Sequence, residues 1–83
     1  KNILTMKKEE IILGQIYECH AIGLKKKVTG EIIKKLENSV ILCVEEYDRI
    51  DHAEVQDKAG KVMAKYSEIC SQEVSEYGLI EIA

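Results

Sequence analysis

The spacing of apolar residues changes rhythm along this chain. Residues 15–22 alternate, with Tyr17, Cys19 and Ala21 on one side and Ile16, Glu18, His20 and Ile22 on the other. A period of two between the breakers Gly14 and Gly23 predicts a strand. Residues 28–36 and 40–47 predict two further strands, folded back on each other at Glu37-Asn38-Ser39. Asn tolerates a positive φ there, and Asn and Ser side chains bond locally to backbone. Within this hairpin, Val40-Ile41-Leu42-Cys43-Val44 is an unbroken run of strand formers, which predicts the most buried, central strand. Gly30 interrupts the other arm and predicts a bulge or tight bend. Ahead of these strands, residues 1–10 are polar and expected to fray. Residues 11–13 predict a leading strand or a short turn of helix.

The second half changes period. Asp51 is expected as a helix N-cap, with Glu54 three places on as its capping-box partner. Val55, Ala59, Val62, Met63, Tyr66, Ile69, Cys70, Val74 and Tyr77 then fall within an arc of about 140° on a helical wheel. Gly78 stands where a left-handed terminal residue belongs. Glu73 projects from the middle of the apolar arc. A helix of that length spans about 39 Å at 1.5 Å per residue. A domain of this size has a diameter of roughly 30 Å. The helix must therefore break near Gly60 or pack its far end on another subunit. Residues 79–82 predict a short final strand. A rival reading makes 61–69 a strand: Val62, Ala64 and Tyr66 alternate with Lys61, Lys65 and Ser67, Gly60 becomes a turn, and 51–59 is a short helix. The helical pattern matches more positions and is the reading preferred on sequence.

Eighty-three residues predict a single domain, 1–83. A chain this short buries only about 60–65% of its unfolded surface, so self-association would stabilise it. The apolar and charged fractions, 46% and 33%, are those of a folded chain. Phe, Trp and Pro are absent, so the core must come from aliphatic residues and four tyrosines. No apolar run approaches the roughly 18 residues that cross a bilayer, and 11–13 is too short for a signal-peptide core. The cytoplasm is the expected location. Three cysteines at wide spacing, Cys19, Cys43 and Cys70, fit buried reduced thiols and not a disulfide framework.

Charge is unevenly placed. Residues 1–36 carry a net charge of +4 and residues 37–83 a net charge of −7. Lys25, Lys26, Lys27, Lys34 and Lys35 are the candidate nucleic-acid contacts, since a lysine patch meets phosphates without reading sequence. Their bland role is to solubilise and protect a sheet edge. Glu45, Glu46, Asp48 and Asp51 are the candidate contacts for a protein partner; their bland role is a solvated acidic face. They lack the spacing and central Gly of a calcium loop. Cys19, His20, Cys43, His52 and Cys70 lack the close ligand pairs of a zinc site. No phosphate-binding fingerprint is present, because Gly14, Gly23 and Gly30 are too far apart. A Cys–His pair of His52 with Cys43 or Cys19 lacks any Gly-rich oxyanion turn nearby. No catalytic residue, metal or cofactor is expected.

Gly30-Glu31-Ile32-Ile33-Lys34, followed by Asn38-Ser39-Val40-Ile41, resembles the short SH3-like barrel proteins of Gram-positive bacteria, KOW-type small barrels. The resemblance implies a strongly bent antiparallel sheet with an RNA- or protein-binding surface and no catalytic residues. It also favours the strand reading of 61–69, while 71–83 departs from its pattern. The expected architecture is therefore α+β: a small, strongly bent antiparallel sheet, an SH3-like meander, followed by a C-terminal amphipathic helix. The alternative is an all-β SH3-like barrel with one short helix. The expected function is a non-enzymatic binding or regulatory module. Its candidate partners are RNA or DNA at the lysines, or a protein at the acidic half, with a homodimer through the C-terminal helix.

Overall fold

The computed structural model describes residues 7–70. Four strands form one antiparallel sheet in the order β1-β2-β3-β4: β1 Ile16–Cys19, β2 Val28–Lys35, β3 Ser39–Glu46 and β4 Lys61–Lys65. One short helix, α1 His52–Asp57, lies between β3 and β4, so the architecture is α+β and mostly strand. The expected hairpin is the β2–β3 pair, closed where the Leu36 N–H donates to the Ser39 carbonyl. In β1, Tyr17 and Cys19 are buried and Ala21 follows them inward, as their alternation predicted. The run 40–44 does not bury both faces. Val40 and Leu42 point into the core, while Ile41 and Cys43 are half-exposed on the other side. Residues 8–10, expected to fray, form a 3-10 turn ahead of the buried Ile11.

Gly30 does what its place in a strand predicted. A Cβ at this position would lie 2.6 Å from the Cys43 carbonyl oxygen and 2.8 Å from Leu42 Cδ1. The β2–β3 register shifts on either side of this contact, between Thr29 and Gly30 and again between Ile32 and Lys34. Two irregularities in eight residues bend the pair locally. The bend lets the chain return. After β4 and a 3-10 turn, Tyr66–Glu68, Ile69 bridges to Cys19 on the outer edge of β1. The Cys70 N–H donates to the Glu18 carbonyl at 2.8 Å, and the His20 N–H to the Glu68 carbonyl at 3.1 Å. From the opposite side, the Ile22 N–H reaches the Met63 carbonyl on β4. Leu24, Val28, Ile32, Val40, Leu42, Val55, Val62, Ala64 and Ile69 fill the interior between these turns. Each Leu, Ile or Val side chain among them contributes about 1.5–3 kcal/mol when buried.

The long helix expected from 51 to 77 is not formed. α1 stops at Asp57, and Ala59 and Gly60 both take positive φ, 56° and 78°. Two successive residues in that conformation end a helix, and Gly60 adopts it without steric cost. Residues 61–65 are then strand, with Val62 and Ala64 buried and Met63 exposed. The helical arc shared Val55 and Val62 with this pattern but wrongly assigned Ala59 and Met63 to the core. The decisive force is tertiary: β3 needs a partner on its second edge, and Val62 and Ala64 fill the space against Leu42 and Val40. The homodimer face expected along this helix is therefore lost over residues 58–70. The remainder of the expected helix, its cap at Gly78 and the final strand at 79–82 lie outside the described residues. Among the described residues no helix is long and apolar enough to cross a membrane.

Gly30→Ala is expected to destabilise the fold by about 1–3 kcal/mol, because main chain and not a flexible side-chain tip must move. A lowered urea midpoint at unchanged slope would report it; an unchanged midpoint would mean the close approach is not a constraint.

Candidate functional site

The Lys25-Lys26-Lys27 turn is held from both ends and from beneath. Leu24 before it and Val28 after it are buried, so the three lysines between them are pushed into solvent. Beneath the turn lies the one buried charged side chain among the described residues, Asp51. The main-chain N–H of Lys25 donates to Asp51 Oδ1 at 2.8 Å, and that of Lys26 to Oδ2 at 2.9 Å. Asp51 itself is set by a 3-10 turn, Arg49–Asp51, whose start is capped where Asp48 Oδ1 accepts the Ile50 N–H at 2.9 Å. The bond from Lys25 is the main cause that lowers the Asp51 carboxyl below its ordinary value of 3.8, partly opposed by burial; the Lys26 bond and the charges of Lys25 and His20 add to the lowering.

This arrangement corrects two sequence expectations. Asp51 occupies the first position before α1, but its side chain makes no cap bond there. Nor is its carboxylate presented to a partner, since it is buried and turned toward the lysine turn. Glu45, Glu46 and Asp48 are exposed at the end of β3 and just beyond it, together with Ile50.

The five candidate lysines do not form one patch. Lys25–Lys27 precede β2, whereas Lys34 and Lys35 end it, eight residues or roughly 25 Å of strand away. Lys35 is half-buried, and its Nζ donates to the Ile11 carbonyl at 2.7 Å, which ties the leading segment to the sheet. Lys34 is exposed beside Ile41. Lys27 Nζ approaches Cys70 Sγ at 3.6 Å.

Other groups gather beside the turn instead. The loop His20–Leu24, with Lys65 and Glu68 across from it, lines an open cleft of about 270 Å³. The His20 ring is fixed because its Nε2 lies 2.8 Å from the Leu24 carbonyl, which can only accept, so Nε2 carries the proton. The stem of Lys58 passes over Gly23, where an added Cβ would sit 3.8 Å from Lys58 Cε. The Lys58 ammonium pairs with Glu54 at 3.7 Å. Reading charge by halves hid these residues, since Lys58 and Lys65 belong to the acidic half of the chain. The available signal was Gly23, whose positive φ of 89° turns the loop toward them.

The thiols are free. Cys19 is fully buried, and burial pushes its pKa up to about 12, helped by negative charge at Cys70, Glu18 and Glu68. Such a thiol stays protonated and unreactive near neutral pH. His52 Nδ1 is engaged by the Tyr47 hydroxyl at 2.7 Å, and the two rings stack with centroids 5.9 Å apart. Among the described residues, no three His, Cys, Asp or Glu side chains come together as a metal site would require.

No protein-family model matches this chain, and it has no significant match to a curated protein or a solved structure.

The lowered Asp51 pKa sets the sign of a pH effect. The contribution of the ionised carboxylate is complete above its unfolded pKa and is lost as pH falls through its folded pKa, both at or below about 4. Asp51→Asn is expected to be less stable than the wild type at pH 7, with the gap closing as pH falls from about 5 toward 2. Urea unfolding across that range checks this. Parallel curves would show that the two backbone bonds do not favour the charged form.

Proposed function

We propose that this chain is a small non-enzymatic binding module of the SH3-like, KOW-type kind that contacts RNA or DNA backbone through Lys25, Lys26 and Lys27. The observation that carries the reading is the Asp51 carboxylate, which grips the turn by its main chain and leaves the Lys25 and Lys26 ammonium groups unspent among the described residues, with that of Lys27 lying 3.6 Å from Cys70 Sγ. Preorganised cations lose less freedom on meeting phosphates than lysines on an untethered loop. The overall charge of −3 does not oppose this. At physiological salt the screening length is about 8 Å, so a phosphate strand responds to the local sign. Lys58 and Lys65 add to that sign locally, while Glu68 and Glu54 subtract from it. Lys34 lies too far along β2 to share the same phosphates, and Lys35 is occupied with Ile11.

The barrel assignment is supported by the bend at Gly30 and the return of Ile69 to the first strand. A cytoplasmic location is supported by three unpaired cysteines. A second reading, docking to a basic protein surface through Glu45, Glu46 and Asp48, is supported by the exposure of Ile50 among them. An exposed apolar side chain close in sequence to three exposed acids suits a basic, partly apolar partner.

Replacing Lys25, Lys26 and Lys27 together with Gln leaves the clip intact, since it uses only backbone N–H groups. The variant is expected to bind single-stranded RNA at least tenfold more weakly. Its salt slope should be smaller by about 2, from three lost contacts at about 0.7 each. Fluorescence anisotropy at several salt concentrations measures both. Equal affinity and slope in the two proteins would overturn the reading. Lys34→Gln serves as the control and should change neither.

A further inference from the structure

The stretch 47–52, between β3 and α1, carries chemistry that a lysine turn alone does not use. Tyr47 is half-buried and packs against the core, while His52 is exposed at the start of α1. The Tyr47 hydroxyl and His52 Nδ1 are hydrogen-bonded at 2.7 Å. Their ring planes lie within 18° of each other, with centroids 5.9 Å apart. At that separation near-parallel rings overlap only at their edges, so the exposed His52 ring keeps a face for another group. The backbone between the two rings is fixed as well. The Asp51 N–H donates to the Asp48 carbonyl at 2.9 Å, and the His52 N–H donates to the Arg49 carbonyl. A chain without Phe or Trp thus still builds a held aromatic surface.

This surface adjoins the lysine turn. Asp51, whose carboxylate holds the Lys25 and Lys26 N–H groups, immediately precedes His52. Consecutive Cα atoms are about 3.8 Å apart, so the ring and the turn are neighbours. Arg49, on the same 3-10 turn as Asp51, is exposed and in no ion pair among the described residues. Acids stand at the other end: Glu45 and Glu46 precede Tyr47, Asp48 follows it, and all three are exposed. Phosphate is therefore disfavoured beside Tyr47 and favoured on the His52 side, where Asp51 brings in the lysines. An unpaired nucleobase has a flat face that stacks on aromatic side chains whatever its sequence. A base inside a duplex has both faces already covered by its neighbours.

We propose that this site takes single-stranded nucleic acid, with an unpaired base stacked on the exposed ring of His52 beside Tyr47 and its flanking phosphates toward Lys25, Lys26 and Arg49. The proposal rests on the reading of the turn as a phosphate contact and adds the class of strand.

Fluorescence anisotropy with two probes tests it: a short oligothymidylate, and a strand of equal length whose nucleotides are all abasic. The wild type is expected to bind the oligothymidylate at least fivefold more tightly. His52→Ala is expected to erase that preference, and His52→Phe, which keeps a ring without the hydrogen bond, to retain it. Neither variant should change the salt slope, which counts phosphate contacts. Equal wild-type affinity for the two strands would overturn the stacking. So would an undiminished preference in His52→Ala or a lost one in His52→Phe. If circular dichroism shows either variant unfolded, the wild type decides alone: its His52 ring protons must show nuclear Overhauser contacts to thymine protons, and their absence overturns the proposal. Failure of the underlying reading has a separate signature. Replacing Lys25, Lys26 and Lys27 with Gln would then leave the affinity for both strands unchanged, and this inference would fall with it.

Discussion

The close approach of Gly30 to the Cys43 carbonyl is the constraint on which the rest of this fold depends. An aliphatic core without Phe or Trp cannot fill a wide gap between two separate sheets. It can fill the inside of one sheet bent back on itself, where Val40 and Leu42 meet Val62 and Ala64 at short range. Bending at this point brings the chain after β4 near the end of β1, so Ile69 and the backbone of Cys70 can reach the first strand. The interior is then shut by main-chain hydrogen bonds from both sides, which suits a small chain with little surface to bury.

Local signals were legible where one face of an element alone meets the core. Tyr17, Cys19 and Ala21 announced β1 through strict alternation, and the Asn38-Ser39 turn announced the hairpin. The reading failed between 58 and 70, where two periods coincide. Val55 and Val62 fit a helical stripe, while Val62 and Ala64 fit a strand, and local spacing cannot choose between them. What chooses is the unfilled edge of β3, a requirement set by residues some twenty positions earlier. The positive φ at Ala59 is equally invisible, because Ala rarely signals such a turn.

The candidate site shows the same division. That Lys25-Lys26-Lys27 would lie in a turn followed from Gly23 before it and the strand pattern after it. That Lys34 and Lys35 would lie elsewhere follows only from the length of β2. Asp51 was singled out for its charge and assigned to the wrong task. Its buried carboxylate binds a turn some twenty-five residues earlier in the chain, a relation no local motif encodes. Charge counted by sequence half missed Lys58 and Lys65, which the fold carries to the loop His20–Leu24.

The Asp51 clip separates two kinds of information that most surface turns mix. Its grip is on peptide N–H groups, which every residue except proline possesses. The shape of the turn is therefore indifferent to which side chains it displays. Positions 25 and 26 can drift through lysine, arginine, glutamine or aromatic residues while the scaffold beneath them stays the same. A domain built in this way is easily diversified: a change of ligand preference requires new side chains on the turn and no accommodation from the core.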